Sequence, residues 1–195
     1  VAKVIKNKSE LVRRHFAETA KYMILQSGVE EVSIRKIAVE AGYSPGTIYN
    51  HFTSLDEILW FTRSIMISDM GDFLMKENPG EIDSVDDLKK TFRSYLGYFI
   101  DNPGIYRFLY FHRLQKKDKT VDSLADSSEF SKQMFYSLAF LVKSGKCTES
   151  EIPLYFQTLI LSVQGLLTMV VTENDDIKAE AAYGQLDELI DFIMK

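Results

Sequence analysis

The chain is poor in nearly everything that interrupts a helix or cross-links a fold. Its 195 residues include only four prolines and ten glycines, and with no repeat or low-complexity tract it leaves room for long helices. One cysteine, Cys147, excludes an internal disulfide; with no second thiol to resolve an oxidised form, it reads as an ordinary thiol beside a loop. The three histidines, His15, His51 and His112, are far apart and make no metal-ligand spacing. A glycine-rich phosphate loop and a nucleophile motif are also missing. These absences argue against an enzyme and against a resident metal or cofactor. No charged-then-apolar segment opens the sequence, so a cytoplasmic location is expected.

What is present is a globular composition, 46% hydrophobic and 26% charged, with enough chain for a substantial core. Frequent Leu, Lys, Glu, Met and Ala predict an all-α fold. The net charge of −5 argues at first against a nucleic-acid partner, but it averages unlike parts. Residues 1–55 carry eight basic and five acidic side chains, a balance of +3; the remainder carries 15 and 23, a balance of −8. A basic head on an acidic body points to a polyanion at one end only.

Helical periodicity and punctuation divide the chain into about nine helices. Leu11, Phe16, Ala20, Met23 and Ile24 mark a first helix from about Lys8 to Ser27, closed by Gly28. Ser33 caps a second, with Ile34, Ile37, Ala38 and Ala41 on its apolar side and Gly42 at its end. Ser44 caps a third with Pro45 at its first position, running to about Phe52. Ser54 and Glu57 form a capping box for a fourth that continues to about Lys76. Further helices are expected at about 84–100, 104–114, 127–143, 148–172 and 177–194. The expected division is a head over residues 1–53 and a body over 54–195, with the junction near or along the fourth helix.

Two short helices around a three-residue turn have helix-turn-helix proportions. Ile37, Ala38, Ala41, Ile48 and Phe52 would pack inward, and Gly42 suits the positive φ of the turn. The third helix would turn Gly46, Thr47, Tyr49, Asn50 and His51 outward, a set suited to phosphates and base edges in a major groove. A side-chain-free Gly46 in the first turn lets backbone N–H groups approach a phosphate. Arg35 and Lys36 occupy the first turn of the second helix, where the macrodipole disfavours cations unless an anion sits there. Lys3, Lys6 and Lys8 are read as a flexible arm for the DNA backbone or minor groove. Spacing alone also allows a helical hairpin that never meets DNA, and a half-buried packing role for His51.

The segment Ser33–Leu59, SIRKIAVEAGYSPGTIYNHFTSLDEIL, resembles the DNA-binding signature of the TetR family of transcriptional repressors. The likeness rests on the small-residue-Gly turn, the Thr-Ile-Tyr-x-His-Phe core and the capped fourth helix, about a quarter of the chain with the first helix. It implies a homodimer, each subunit having an N-terminal three-helix DNA-binding domain and a helical domain for effector binding and dimerisation. By resemblance Thr47, Tyr49 and His51 take backbone-contacting positions, and Ser44, Pro45, Gly46 and Asn50 take positions that vary with the operator. Leu55 departs from the pattern, since the family commonly has a phosphate-reaching Lys there. An effector-binding helical dimer with little DNA affinity is the alternative this leaves open.

Eight Phe or Tyr side chains fall between Phe92 and Phe111. Core packing explains most of them, and a cavity for an apolar or amphipathic effector is the second reading. Candidate lining residues are Tyr95, Tyr98, Tyr106 and Tyr110, with His112, Met66, Met70, Phe135 and Gln164. The uncharged run Leu154–Val171 reads as a buried helix rather than a membrane span, because it is short for a span, contains Gln, Ser and Thr, and lacks Lys or Arg anchors. Its stripe of Thr158, Leu161, Ser162, Gly165 and Met169 suits close helix approach. With Leu186, Leu189, Ile190 and Ile193 of the last helix it is expected to form a four-helix dimer seam, which would offer two reading helices to a near-palindromic double-stranded operator.

Overall fold

The computed structural model describes residues 2–115, 138–172 and 178–195, with side chains from Lys8 onward. Among them the regular elements are α1 (Ala2–Ser27), α2 (Ile34–Glu40), α3 (Pro45–Ile48), α4 (Leu55–Glu77), α5 (Val85–Asp101), α6 (Pro103–Tyr110), α7 (Ala139–Lys143), α8 (Ile152–Thr172) and α9 (Ala179–Ile193). Single 3₁₀ turns lie at Val29–Glu31 and Glu149–Glu151. The described residues contain no strand, so the fold is all-α.

Two compact units divide the chain: Val1–Asp69 with Gly104–Asp126, and Met70–Pro103 with Ser127–Lys195. The division along the sequence therefore falls inside α4. In the first unit, α1 buries Phe16, Ala17, Ala20 and Ile24 against Ile37, Ala38, Ile48, Phe52, Ile58 and Met66. Phe16 is its centre, with ring centroids 5.1 Å from Tyr43 and 6.5 Å from Phe52. The buried hydroxyl of Thr62 lies 2.9 Å from the Ile58 carbonyl and 3.2 Å from that of Ala17, so one proton ties α4 to α1.

In the second unit, α5, α8 and α9 pack together. Leu88, Phe92, Tyr95, Leu96 and Phe99 of α5 face Leu159, Val163, Leu167, Ala182, Leu186 and Ile190 in a shared core. Arg93 pairs with Asp187 at 3.0 Å and Lys89 with Asp191 at 2.6 Å along the α5–α9 border. These pairs are partly exposed and contribute to register more than to stability.

Several expectations change. The first helix begins at Ala2, not Lys8, so Lys3, Lys6 and Lys8 belong to it rather than to an arm; nothing between Ala2 and Lys8 breaks a helix. Leu11 is 64% exposed and outside the buried stripe, which includes Ala17 instead. The helix α6 starts on Pro103 and ends at Tyr110, where the Phe111 and His112 amides both turn back to the Arg107 carbonyl. The apolar α8 is long and apolar enough to cross a membrane by length and composition alone. It is not fully buried: 28% of its most apolar window is covered, with Leu154, Leu161 and Met169 exposed opposite Leu159, Val163 and Leu166. Residues 116–137 and 173–177, including Phe135 and most of the helix expected at 127–143, lie outside the described residues.

Candidate nucleic-acid interface

The reader is assembled from caps. The α2 helix starts where the Lys36 amide donates to Ser33 Oγ at 3.3 Å. It stops in a Schellman turn: the Tyr43 amide reaches the Ala38 carbonyl at 2.8 Å and the Gly42 amide the Val39 carbonyl at 3.1 Å. That closure needs a left-handed residue after the C-cap, and Gly42 has φ 78°. His15 of α1 braces the same corner, with Nε2 3.2 Å from the Ala41 carbonyl oxygen.

Pro45 opens α3. Ser44 does not cap a backbone amide there; its hydroxyl lies 3.0 Å from the Thr47 hydroxyl. Regular α-helix ends at Ile48, four residues in, rather than at Phe52. Beyond it the Asn50 amide bonds back to Thr47 at 3.2 Å and the His51 amide to Ile48 at 2.8 Å, a tightened i→i−3 turn. Ile48 and Phe52 are buried and hold this turn from beneath.

Ser44, Pro45, Gly46, Tyr49 and Asn50 are exposed, Tyr49 to 60%. Thr47 and His51 are half-buried. The outward placement expected for His51 is thus only partial. Its Nδ1 lies 3.2 Å from Ser9 Oγ, and its ring centroid is 6.2 Å from that of Phe16. The reason is the tightened turn, which lines residue i+3 up with residue i and so draws His51 toward the side of buried Ile48.

Arg35 and Lys36 are exposed in the first turn of α2. Lys36 is engaged locally: its ammonium lies 2.6 Å from Glu31 Oε2 and, by hydrogen bond first and charge second, holds the Glu31 carboxyl below its ordinary range. Arg35 has no ion partner among the described residues. Leu55, the first residue of α4, is half-buried.

Arg13, which the sequence pattern did not single out, helps to fasten this surface to the helices beneath it. Arg13 donates to the His51 main-chain carbonyl, pairs with Glu57 Oε1 at 3.3 Å and lies 4.1 Å over the Phe52 ring. Glu57 in turn accepts from the Thr53 amide at 2.7 Å and its hydroxyl at 2.8 Å, while its own amide donates to Ser54 Oγ at 3.2 Å. The Ser54 arm of the expected capping box is therefore in place, and only the reciprocal arm, the Glu57 carboxylate, is shifted by one residue onto Thr53. Lys21 and Asp69 form a further pair between α1 and α4. A signal for Arg13 existed: it stands one turn before Ala17, on the face that buries Phe16, Ala17 and Ala20, where a cation needs a partner.

The candidate effector residues distribute over both units. In the first, Met66 and Tyr106 are buried, Tyr110 is 45% exposed with its ring centroid 4.9 Å from Tyr106, and His112 stacks on Phe108. In the second, Met70 and Tyr95 are buried, Gln164 Nε2 donates to Tyr95 Oη at 2.9 Å, and Tyr98 is half-buried against Phe73. Of the seam candidates, Thr158, Leu161, Gly165 and Met169 are exposed, and Ser162, Leu189 and Ile193 are half-buried. Leu186 and Ile190 are 1% and 0% exposed, spent on the core of the second unit because that face of α9 packs against α5 and α8.

Residues 17–59 match the family model described as bacterial regulatory proteins, tetR family. Over 54 residues the chain is 39% identical to the HTH-type transcriptional regulator PksA of Bacillus subtilis (strain 168); the match spans 28% of this chain and 26% of PksA, about a quarter of that relative's length. Across nearly the whole chain the fold is similar to that of the transcriptional regulator FadR from Bacillus subtilis in complex with stearoyl-CoA, with a TM-score of 0.68, 16% identity and coverage of 91% and 96% of the two chains. It is also similar to RolR in complex with resorcinol, with a TM-score of 0.68, 16% identity and coverage of 94% and 89%.

Proposed function

This chain is a member of the tetR family of bacterial regulatory proteins, and on that premise we propose that it is a cytoplasmic, ligand-responsive repressor that binds a near-palindromic DNA operator as a homodimer. The observation that carries the reading is the reader itself. Ser44, Pro45, Gly46, Tyr49 and Asn50 are exposed together on a turn whose Ile48 and Phe52 are buried, so the set is presented as a rigid unit. Exposed tyrosine and asparagine on such a support suit phosphate and base-edge contacts. Arg35 supplies an exposed cation in the first turn of α2, and Thr47 and His51 flank the set in sequence.

Dimerisation rests on the charge-free outer face of α8, Leu154, Thr158, Leu161, Gly165 and Met169, together with Phe192 of α9, which is 73% exposed. A contiguous apolar face of this kind is covered in most water-soluble chains. The effector is an apolar or amphipathic small molecule. The Tyr95–Gln164 hydrogen bond supports this, because it places a polar pair against the largely aliphatic and aromatic core of α5 and α8. Stearoyl-CoA and resorcinol, the ligands of FadR and RolR, are both amphipathic. An effector that prefers one of two reader spacings would release DNA by that differential affinity.

The test is selection of bound duplexes from a random pool, followed by titration of the enriched sequence. Enrichment of an inverted repeat, with Tyr49→Ala lowering affinity at least about tenfold, is the expected result. No enrichment, with Tyr49→Ala indistinguishable from the parent, favours an effector-binding dimer without DNA affinity.

A further inference from the structure

Ser9 and Arg13 lie one turn apart on α1, and both reach His51. The Ser9 hydroxyl is 3.2 Å from the ring Nδ1, and Arg13 donates to the main-chain carbonyl of the same residue. One helix thus holds the backbone and the ring of His51 at once, and the Phe16 ring stands beside it.

We infer that Ser9 is a positioning residue for DNA recognition: its hydroxyl donates to Nδ1 of His51, which keeps the ring proton on Nε2 and presents that N–H to a phosphate oxygen. The inference rests on the DNA-binding reading above. A neutral imidazole has one donor and one acceptor nitrogen, and a phosphate oxygen only accepts. If Nδ1 carried the proton and donated to Ser9, a lone pair on Nε2 would oppose the phosphate. Ser9 is the ring's hydrogen-bond partner among the described residues, and its hydroxyl, able to donate, meets what phosphate binding at Nε2–H leaves over, an accepting Nδ1; Arg13 is committed to the carbonyl, to Glu57 and to the Phe52 face. Among the described residues Nε2 has no hydrogen-bond partner, so it is the nitrogen left for a ligand. A hydroxyl holding the second nitrogen of a ligand-contacting histidine parallels the outer partners that orient histidines at metal sites.

The test has two arms. The first needs no DNA: ring ¹⁵N shifts of His51 at about pH 8, above the ordinary histidine value, are expected to show the Nε2–H tautomer. A ring protonated on Nδ1 overturns the inference whatever the protein does with DNA. In the second arm, an operator selected by the parent protein is titrated with variants. Ser9→Ala is expected to lose about threefold to tenfold in affinity, the scale of one orienting hydrogen bond, with an unchanged melting temperature since alanine suits a helix interior. Ser9→Thr, which keeps the hydroxyl, is expected to recover most of the loss, and Ser9→Ala to cost nothing further in a His51→Ala background. An equal loss in both backgrounds overturns the positioning role while leaving the DNA-binding reading in place. Failure of the parent to enrich any sequence removes that reading, and the tautomer arm still decides the Ser9–His51 relationship.

Discussion

Arg13 and Glu57, 44 residues apart in sequence, meet at 3.3 Å beneath the reading turn. Both are partly exposed, at 31% and 20% of side-chain surface, so their Coulomb attraction alone is worth little. Their importance lies in what each also holds. Arg13 grips the His51 carbonyl and covers Phe52; Glu57 caps α4 through Thr53. The pair links the end of the reader to the start of the helix that follows it.

Arg13→Ala is accordingly expected to destabilise the first unit by about 2 kcal/mol, from a lost charge-assisted hydrogen bond and a lost cation–π contact. Glu57→Gln, which keeps an acceptor for Thr53, is expected to cost less than half as much. Urea unfolding followed by tryptophan fluorescence measures both, since Trp60 belongs to the same unit. Equal losses would show that the cap, not the guanidinium, dominates.

A second relationship limits substitution in the other unit. A Cβ built on Gly97, in the middle of α5, would stand 2.8 Å from the Tyr183 hydroxyl oxygen, with the ring Cζ next at 3.9 Å. Alanine at this site should gain about 1 kcal/mol of helix propensity. We expect a clash of about 2 kcal/mol, the middle of the range for overpacking, to outweigh it, leaving Gly97→Ala less stable by about 1 kcal/mol. Tyr183→Phe removes the offending atom, so the double variant should be at least as stable as Tyr183→Phe alone. A thermal-unfolding double-mutant cycle decides the matter, and additivity would rule the clash out.

Local punctuation was legible from the sequence because it is set by single residues: Gly42 at the Schellman turn, Ser33 at the α2 cap, Pro45 at the start of α3. What local pattern does not contain is the partner. The reader stops being regular helix at Ile48 because the chain must bury Phe52 and reach α4 within a few residues. His51 turned toward α1 for the same reason, and Ser9, 42 residues away, carried no mark of meeting it. The stripe of α9 was visible, but periodicity shows that a face is buried and not by which chain. Leu186 and Ile190 went to the core of this chain's second unit, whereas Leu161 and Phe192 stayed outside.

Acid should loosen the start of α8. Glu151 accepts from the Thr148 amide at 2.8 Å and from its hydroxyl at 2.8 Å, completing a capping box. The backbone bond first, and the hydroxyl second, lower its carboxyl below the ordinary 4.5. A carboxyl depressed on folding stabilises the native state above its unfolded value, and this contribution is lost as pH falls through the folded value. Melting temperature should therefore drop between about pH 5 and pH 3 by more in the parent than in Glu151→Gln, which has no charge to lose. Parallel pH curves for the two proteins would contradict the assignment.

The absent lysine at position 55 offers the sharpest reading of DNA contact. Leu55 is half-buried at the first position of α4, and Lys36, a cation in the first turn of α2, is occupied by Glu31 at 2.6 Å. Leu55→Lys keeps an aliphatic stem that can cover the same surface and adds an ammonium. If a homodimer places it near one phosphate per subunit, two counterions are released, and the slope of log affinity against log salt should steepen by roughly 2. Glu31→Gln should act in the same direction by releasing Lys36, with little effect on stability because the pair it breaks is exposed. Titration of the selected operator at several salt concentrations separates the cases. A steeper slope for both variants places Leu55 and Lys36 at the phosphate backbone; a steeper slope for Glu31→Gln alone confines the contact to α2; unchanged slopes in both would mean that neither position faces DNA.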